Sequence, residues 1–100
     1  MLITENIVLK SESKKQLKHL SIDKNIYVST MLIDAAKYIL RNDKKVMRLT
    51  YNDCEPFTMK IDENLKIQIK QFCHEKDVKI KDFWNEAADI AINKEGVFVD

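Results

Sequence analysis

Residues 57–72 read FTMKIDENLKIQIKQF, and residues 78–92 read VKIKDFWNEAADIAI. The first stretch changes its period part-way. Phe57, Met59 and Ile61 alternate with Thr58 and Lys60, which is the period-two pattern of a strand with one buried face. Beyond Asp62 the apolar residues Leu65, Ile69 and Phe72 recur at helical spacing, a stripe that one face of a helix can bury. Asp62 suits the helix N-cap, and Glu63 stands in the first turn, where the helix dipole favours negative charge. A turn is expected near Lys76-Asp77. A second amphipathic helix follows, with Ile80, Phe83, Trp84, Ala87, Ala88 and Ala91 on its apolar face. Gly96 stands where a C-terminal cap belongs, followed by apolar Val97.

The same pattern occurs earlier in the chain. At an offset of 52, residues 9–42 fall on residues 61–94, and Ala35-Ala36 lands on Ala87-Ala88. Leu17 lands on Ile69, Leu20 on Phe72, Met31 on Phe83 and Leu32 on Trp84. An internal repeat of this length marks one supersecondary unit that does not bury its apolar face alone. In the first copy Ile7 and Leu9 alternate with Asn6, Val8 and Lys10. Ser11 or Ser13 is expected to cap a helix with Leu17 and Leu20 as its stripe. Val28, Met31, Leu32, Ala35, Ala36 and Ile39 form the second helix. Asn25 and Asp77 are equivalent across the repeat, at the turn between helices. Both residue types tolerate positive φ there because their short side chains bond locally. The paired alanines let the two second helices approach closely.

Composition agrees with a small helical domain. The chain has 100 residues, 45% of them hydrophobic and 33% charged, with one Gly and one Pro. So few turn formers argue against a barrel or sandwich. Residues 4–42 are read as the first repeat, 43–55 as a linker and 56–96 as the second repeat, all within one domain spanning 1–100. The thirteen linker residues can reach roughly 40 Å, enough to lay the second strand beside the first. Val46–Tyr51 is itself apolar enough to compete as an extra strand.

The pattern resembles the ribbon-helix-helix proteins (the MetJ/Arc/CopG type) twice over. FTMKIDENLKIQIKQF with VKIKDFWNEAADIAI carries the closer likeness. NIVLKSESKKQLKHL with IYVSTMLIDAAKYIL, residues 6–20 and 26–40, carries the second. The resemblance covers roughly 80 of the 100 residues. It implies a mainly α fold with a short two-stranded antiparallel β-ribbon, in which one chain supplies both halves of what is elsewhere a dimer. It further implies double-stranded DNA as partner, since the major groove admits such a ribbon. Outward ribbon residues would meet base edges: Thr58 and Lys60 in the second copy, Asn6 and Val8 in the first, and Lys10 if the register slips by one. The N-terminus of each second helix would hold a backbone phosphate, around Tyr27, Val28, Ser29 and Thr30 and around Lys79, Ile80, Lys81 and Asp82. Ser29, Thr30, Lys79 and Lys81 would add side-chain contacts.

The function expected on this resemblance is that of a repressor, or of a plasmid protein in copy control, partition or assistance to a relaxase at a transfer origin. The first copy offers no basic residue at its outward strand positions and the second half is acidic, which implies either that one half reads bases poorly or that a higher oligomer of pseudo-dimers holds the DNA. The alternative is a protein-interaction module such as an antitoxin, with a small partner protein. Charge is uneven: residues 1–50 carry +5 and residues 51–100 carry −4. No enzyme is expected, because the sequence holds no nucleophile–base set, phosphate loop or spaced metal ligands. Glu12, His19 and Asp23 read as a solvated face. Cys54 and Cys73 read as reduced thiols, and Cys73-His74 with His19 makes a poor metal set, so neither metal nor cofactor is expected. MLITENIVLK has no basic region before an apolar run, and no 18 apolar residues run together. A cytoplasmic protein without a membrane partner is expected.

Overall fold

Alternation produces strands at both predicted places, each longer than its clearest stretch. The computed structural model describes residues 1–50 and 53–94. Strand β1 spans Leu2–Lys10 and β2 spans Cys54–Asp62. They pair antiparallel as a two-stranded sheet. Ile7, Leu9, Met59 and Ile61 turn into the core, while Thr4, Asn6, Val8, Pro56, Thr58 and Lys60 stay exposed. In this register Asn6 lies opposite Thr58. Those two residues are separated by the repeat offset itself. Thr4 therefore faces Lys60, and Val8 faces Pro56.

Two helices follow each strand. Helix α1 spans Ser11–Lys24, α2 Val28–Asn42, α3 Glu63–Lys76 and α4 Ile80–Asn93. The Asp62 carboxylate caps α3 as expected, accepting from the Asn64 N–H at 3.0 Å. Neither Ser11 nor Ser13 caps α1. The strand runs directly into the helix, and Lys10 stands at the cap position without a side-chain cap bond. The Ser11 N–H instead donates to the Asp53 carbonyl at 3.0 Å, just as the Glu63 N–H donates to the Met1 carbonyl at 2.9 Å. Each strand's neighbour thus satisfies an orphan donor at a helix start.

The turns close alike. Asn25 and Asp77 are left-handed, with φ of 55° and 54°. The Ile26 N–H reaches the Ser21 carbonyl, and the Val78 N–H the Cys73 carbonyl, a Schellman-type closure at the same offset. Asp43 ends α2 with φ of 48°, a position the sequence did not single out. Helix α4 ends at Asn93, with Lys94 as its C-cap. Gly96 and Val97 lie outside the described residues.

The core sits between ribbon and helices. Helices α2 and α4 pack on each other, and Ala35, Ala36, Ala87 and Ala88 are fully buried. Without side chains beyond Cβ, these residues let the two backbones come close. Phe83 and Trp84 are core residues. Phe83 stacks edge-on against Phe72 at 5.7 Å and Trp84 at 5.6 Å, within the favoured range for aromatic pairs. Ile80 departs from its expected inward position. It is the first residue of α4 and is 37% exposed, although Asp82 and Phe83 in the same turn are buried.

The linker is not a third strand over its described part. Residues 44–50 form neither helix nor strand, and Tyr51 lies outside the described residues. Val46 is buried in the core, and the Leu49 N–H donates to the Asp82 carboxylate at 2.8 Å. A backbone donor spent on a side chain is lost to a ladder. No helix among the described residues is long and apolar enough to cross a membrane.

Candidate nucleic-acid interface

The middle of the outward ribbon face is a six-residue surface, beyond which the exposed pair Leu2 and Asp62 continues the same alternation. Thr4, Asn6 and Val8 come from β1, and Pro56, Thr58 and Lys60 from β2. Two cross-strand bonds order its polar part. Thr58 Oγ1 donates to Asn6 Oδ1 at 2.8 Å, and Lys60 Nζ donates to Thr4 Oγ1 at 2.7 Å. These bonds occupy acceptors and leave donors. Lys60 keeps two further N–H groups, Thr4 its O–H, and Asn6 both amide N–H groups. The opposite end is apolar, with Val8 38% exposed against Pro56.

Asn6, Val8, Thr58 and Lys60 thus share one face, as the alternation predicts. Lys10 does not join them. Its N–H donates to Asn85 Oδ1 at 2.9 Å, and its Nζ pairs with Asp89 at 3.1 Å, leaving the side chain 16% exposed. Two ribbon residues escaped the sequence reading, Thr4 and Pro56. Glu5 hid the first, because a carboxylate at an inward position breaks the apolar alternation. Its side chain is 12% exposed and pairs with Lys66 at 3.3 Å. Proline hid the second, since it demotes a run as a strand unless it lies at an edge.

The two second helices present unequal N-termini. In α2 the first intrahelical bond runs from the Met31 N–H to the Tyr27 carbonyl. The N–H groups of Val28, Ser29 and Thr30 therefore precede the ladder, and the first turn has no acidic residue. In α4 the ladder opens with Phe83 N–H to Lys79 carbonyl, and Asp82 lies in the first turn. Asp82 is buried. Its negative charge complements the helix dipole, where Thr30 stands in the first copy. Burial, then the Asp82 charge, pushes the nearby Cys73 thiol up to about 11. Lys79 and Lys81 are exposed beside this turn.

Asn85 was also missed. It is buried on α4, and its Nδ2 donates to the carbonyls of Val8 and Lys81, both at 2.9 Å. With the Lys10 N–H on its Oδ1, it fastens the end of β1 to α4. The available signal was a lone amide among Trp84, Ala87 and Ala88, where the first copy has Ile33. Lys14 and Lys66, also repeat equivalents, each reach the opposite strand. Lys14 Nζ donates to the Pro56 carbonyl at 3.0 Å, and Lys66 Nζ pairs with Glu5.

Among the described residues no group of three or more His, Cys, Asp or Glu side chains could hold a metal ion, and both cysteines are free. Comparison with family models, curated proteins and solved structures finds no match to this chain.

Proposed function

We propose that this protein binds double-stranded DNA with sequence specificity, as a tandem ribbon-helix-helix unit in which one chain supplies both halves. The observation that carries the reading is the register. Asn6 and Thr58, equivalent across the repeat, face each other at the centre of the ribbon. The strand register is symmetric about that pair, as expected if each strand and its two helices form one half of such a unit. Such a ribbon suits the major groove, where base edges present distinct donors, acceptors and methyl groups.

The chemistry of the face supports this partner. Asn6, Thr4 and Lys60 aim donors outward, and groove acceptors include guanine O6 and N7 and adenine N7. Cross-strand bonds hold these side chains before DNA arrives, which lowers the ordering cost of binding. Phosphates bind beside the ribbon, at the α2 start through backbone N–H groups with Ser29 and Thr30, and at the α4 start through Lys79 and Lys81. Such contacts position the protein without reading sequence. Repression and plasmid work, with or without a relaxase, use the same contacts and differ in where the target lies.

Selection of bound duplexes from a random pool, at about 50 mM and about 200 mM salt, tests the reading. An enriched motif at both concentrations is expected. Binding that enriches nothing and vanishes as salt rises would show phosphate attraction alone and refute it.

A further inference from the structure

The ribbon face is symmetric in backbone and unsymmetric in chemistry. Repeat equivalence maps Thr4 onto Pro56 and Val8 onto Lys60. The two cross-strand pairs flanking the central Asn6–Thr58 pair, Thr4–Lys60 and Val8–Pro56, are therefore counterparts of each other. One is polar and cationic, its two side chains joined by a 2.7 Å hydrogen bond. The other has no polar side-chain atom, and its proline lacks even a backbone N–H. A palindromic duplex offers identical base edges to both ends of a two-fold ribbon. This ribbon cannot answer identical edges with identical contacts.

We infer that the duplex this protein reads is non-palindromic, with guanine in the half under Thr4–Lys60 and thymine in the half under Val8–Pro56. The inference rests on the DNA-binding reading above and specifies its target. Lys60 and Thr4 place an ammonium and a hydroxyl donor side by side, matching the adjacent O6 and N7 acceptors of guanine. Val8 and Pro56 offer only apolar contact, and the thymine C5-methyl is the apolar group that base pairs expose in the major groove.

The flanks differ as well. The α4 start carries buried Asp82, already bonded to the linker N–H of Leu49, where the α2 start carries exposed Thr30. Only the α2 start offers backbone N–H groups to a phosphate without a carboxylate in its first turn. Phosphate contacts on the two sides of the ribbon are thus unequal too.

The test compares motifs selected by the wild-type chain and by two variants. Val8→Lys with Pro56→Thr copies the polar pair into the apolar half. Lys60→Val removes the cation and keeps a β-branched residue suited to an exposed strand. The wild type is expected to select a motif without two-fold symmetry, with guanine in one half. The double variant should add guanine to the other half and lose roughly 5- to 150-fold on the wild-type duplex. Lys60→Val should lose guanine preference in the first half alone, which keeps the test decisive if the double variant fails to fold. A palindromic wild-type motif, or guanine preference unchanged in Lys60→Val, would overturn the inference while leaving the ribbon as the reader of DNA. Absence of any wild-type motif would overturn the DNA reading and this inference with it.

Discussion

Replacing Asn85 with Ala tests how the ribbon is held. Its amide makes three hydrogen bonds, from the Lys10 N–H and to the carbonyls of Val8 and Lys81, all 2.9 Å long. Lys81 lies one helical turn before Asn85, so its carbonyl keeps its place in the α4 ladder. The other two groups belong to the end of β1 and lose their partner. An unsatisfied buried group costs about 1–3 kcal/mol. Val8 is partly open to water, which places its carbonyl near the lower bound. The sum is about 2–4 kcal/mol, a large share of the roughly 5–15 kcal/mol of a whole domain. At about 4–8 °C per kcal/mol, the melting temperature falls by at least about 8 °C. Urea unfolding followed by far-ultraviolet circular dichroism reads the loss as a shifted midpoint with unchanged slope. Asn85→Asp sharpens the test. It retains the acceptor for Lys10 but faces two carbonyls with a carboxylate, so it is destabilised at neutral pH and partly recovers on acidification, when its carboxyl becomes a donor. Loss of less than about 0.5 kcal/mol in Asn85→Ala, the level of an ordinary surface change, would show that the end of β1 does not depend on this amide. So would wild-type stability of Asn85→Asp.

Further expectations follow from other parts of the fold. Lys60→Ala should weaken specific DNA binding by about 1–3 kcal/mol, read by titration of a selected duplex against a scrambled one. Ala87→Leu, at the close approach of α2 and α4, should destabilise the fold by about 1–3 kcal/mol through overpacking, read as a lower urea midpoint. Because one chain supplies both strands, the thermal midpoint should not change with chain concentration, and a concentration-dependent midpoint would contradict the one-chain assembly. The buried Cys73 thiol ionises near pH 11 rather than at 9.0. Its contribution to stability is full below pH 9 and is lost between about pH 9 and pH 11, by up to ~3 kcal/mol at 1.4 kcal/mol per unit. Cys73→Ala should flatten that part of the wild-type stability curve.

The legible parts of this fold are those where one physical rule acts alone. Alternation at Phe57–Ile61 announced β2, and apolar spacing announced all four helices. Asn25 and Asp77 announced the left-handed turns because few residues adopt positive φ at low cost. Legibility failed where tertiary partners override a local rule. Glu5 faces inward because Lys66, distant in sequence, neutralises it, so the first strand looked shorter than it is. Ser11 and Ser13 are good caps by type, but the strand enters α1 without a break. Asn85 and Asp82 are polar residues in a helix whose pattern reads as apolar core. Their roles appear only once Lys10 and Leu49 are brought to them across 75 and 33 residues. The candidate site was half legible for the same reason. Asn6, Val8, Thr58 and Lys60 follow from parity along the strand, whereas Thr4 and Pro56 needed the register.

Backbone amide chemical shifts of the isotope-labelled chain, recorded as a selected duplex is added, decide whether the outward ribbon face meets DNA. Large shifts are expected at Thr4–Val8 and Phe57–Lys60, with smaller ones at Val28–Thr30. Shifts confined to α1, α3 or the helix–helix turns, with the ribbon amides unmoved at saturation, would contradict DNA contact by the ribbon.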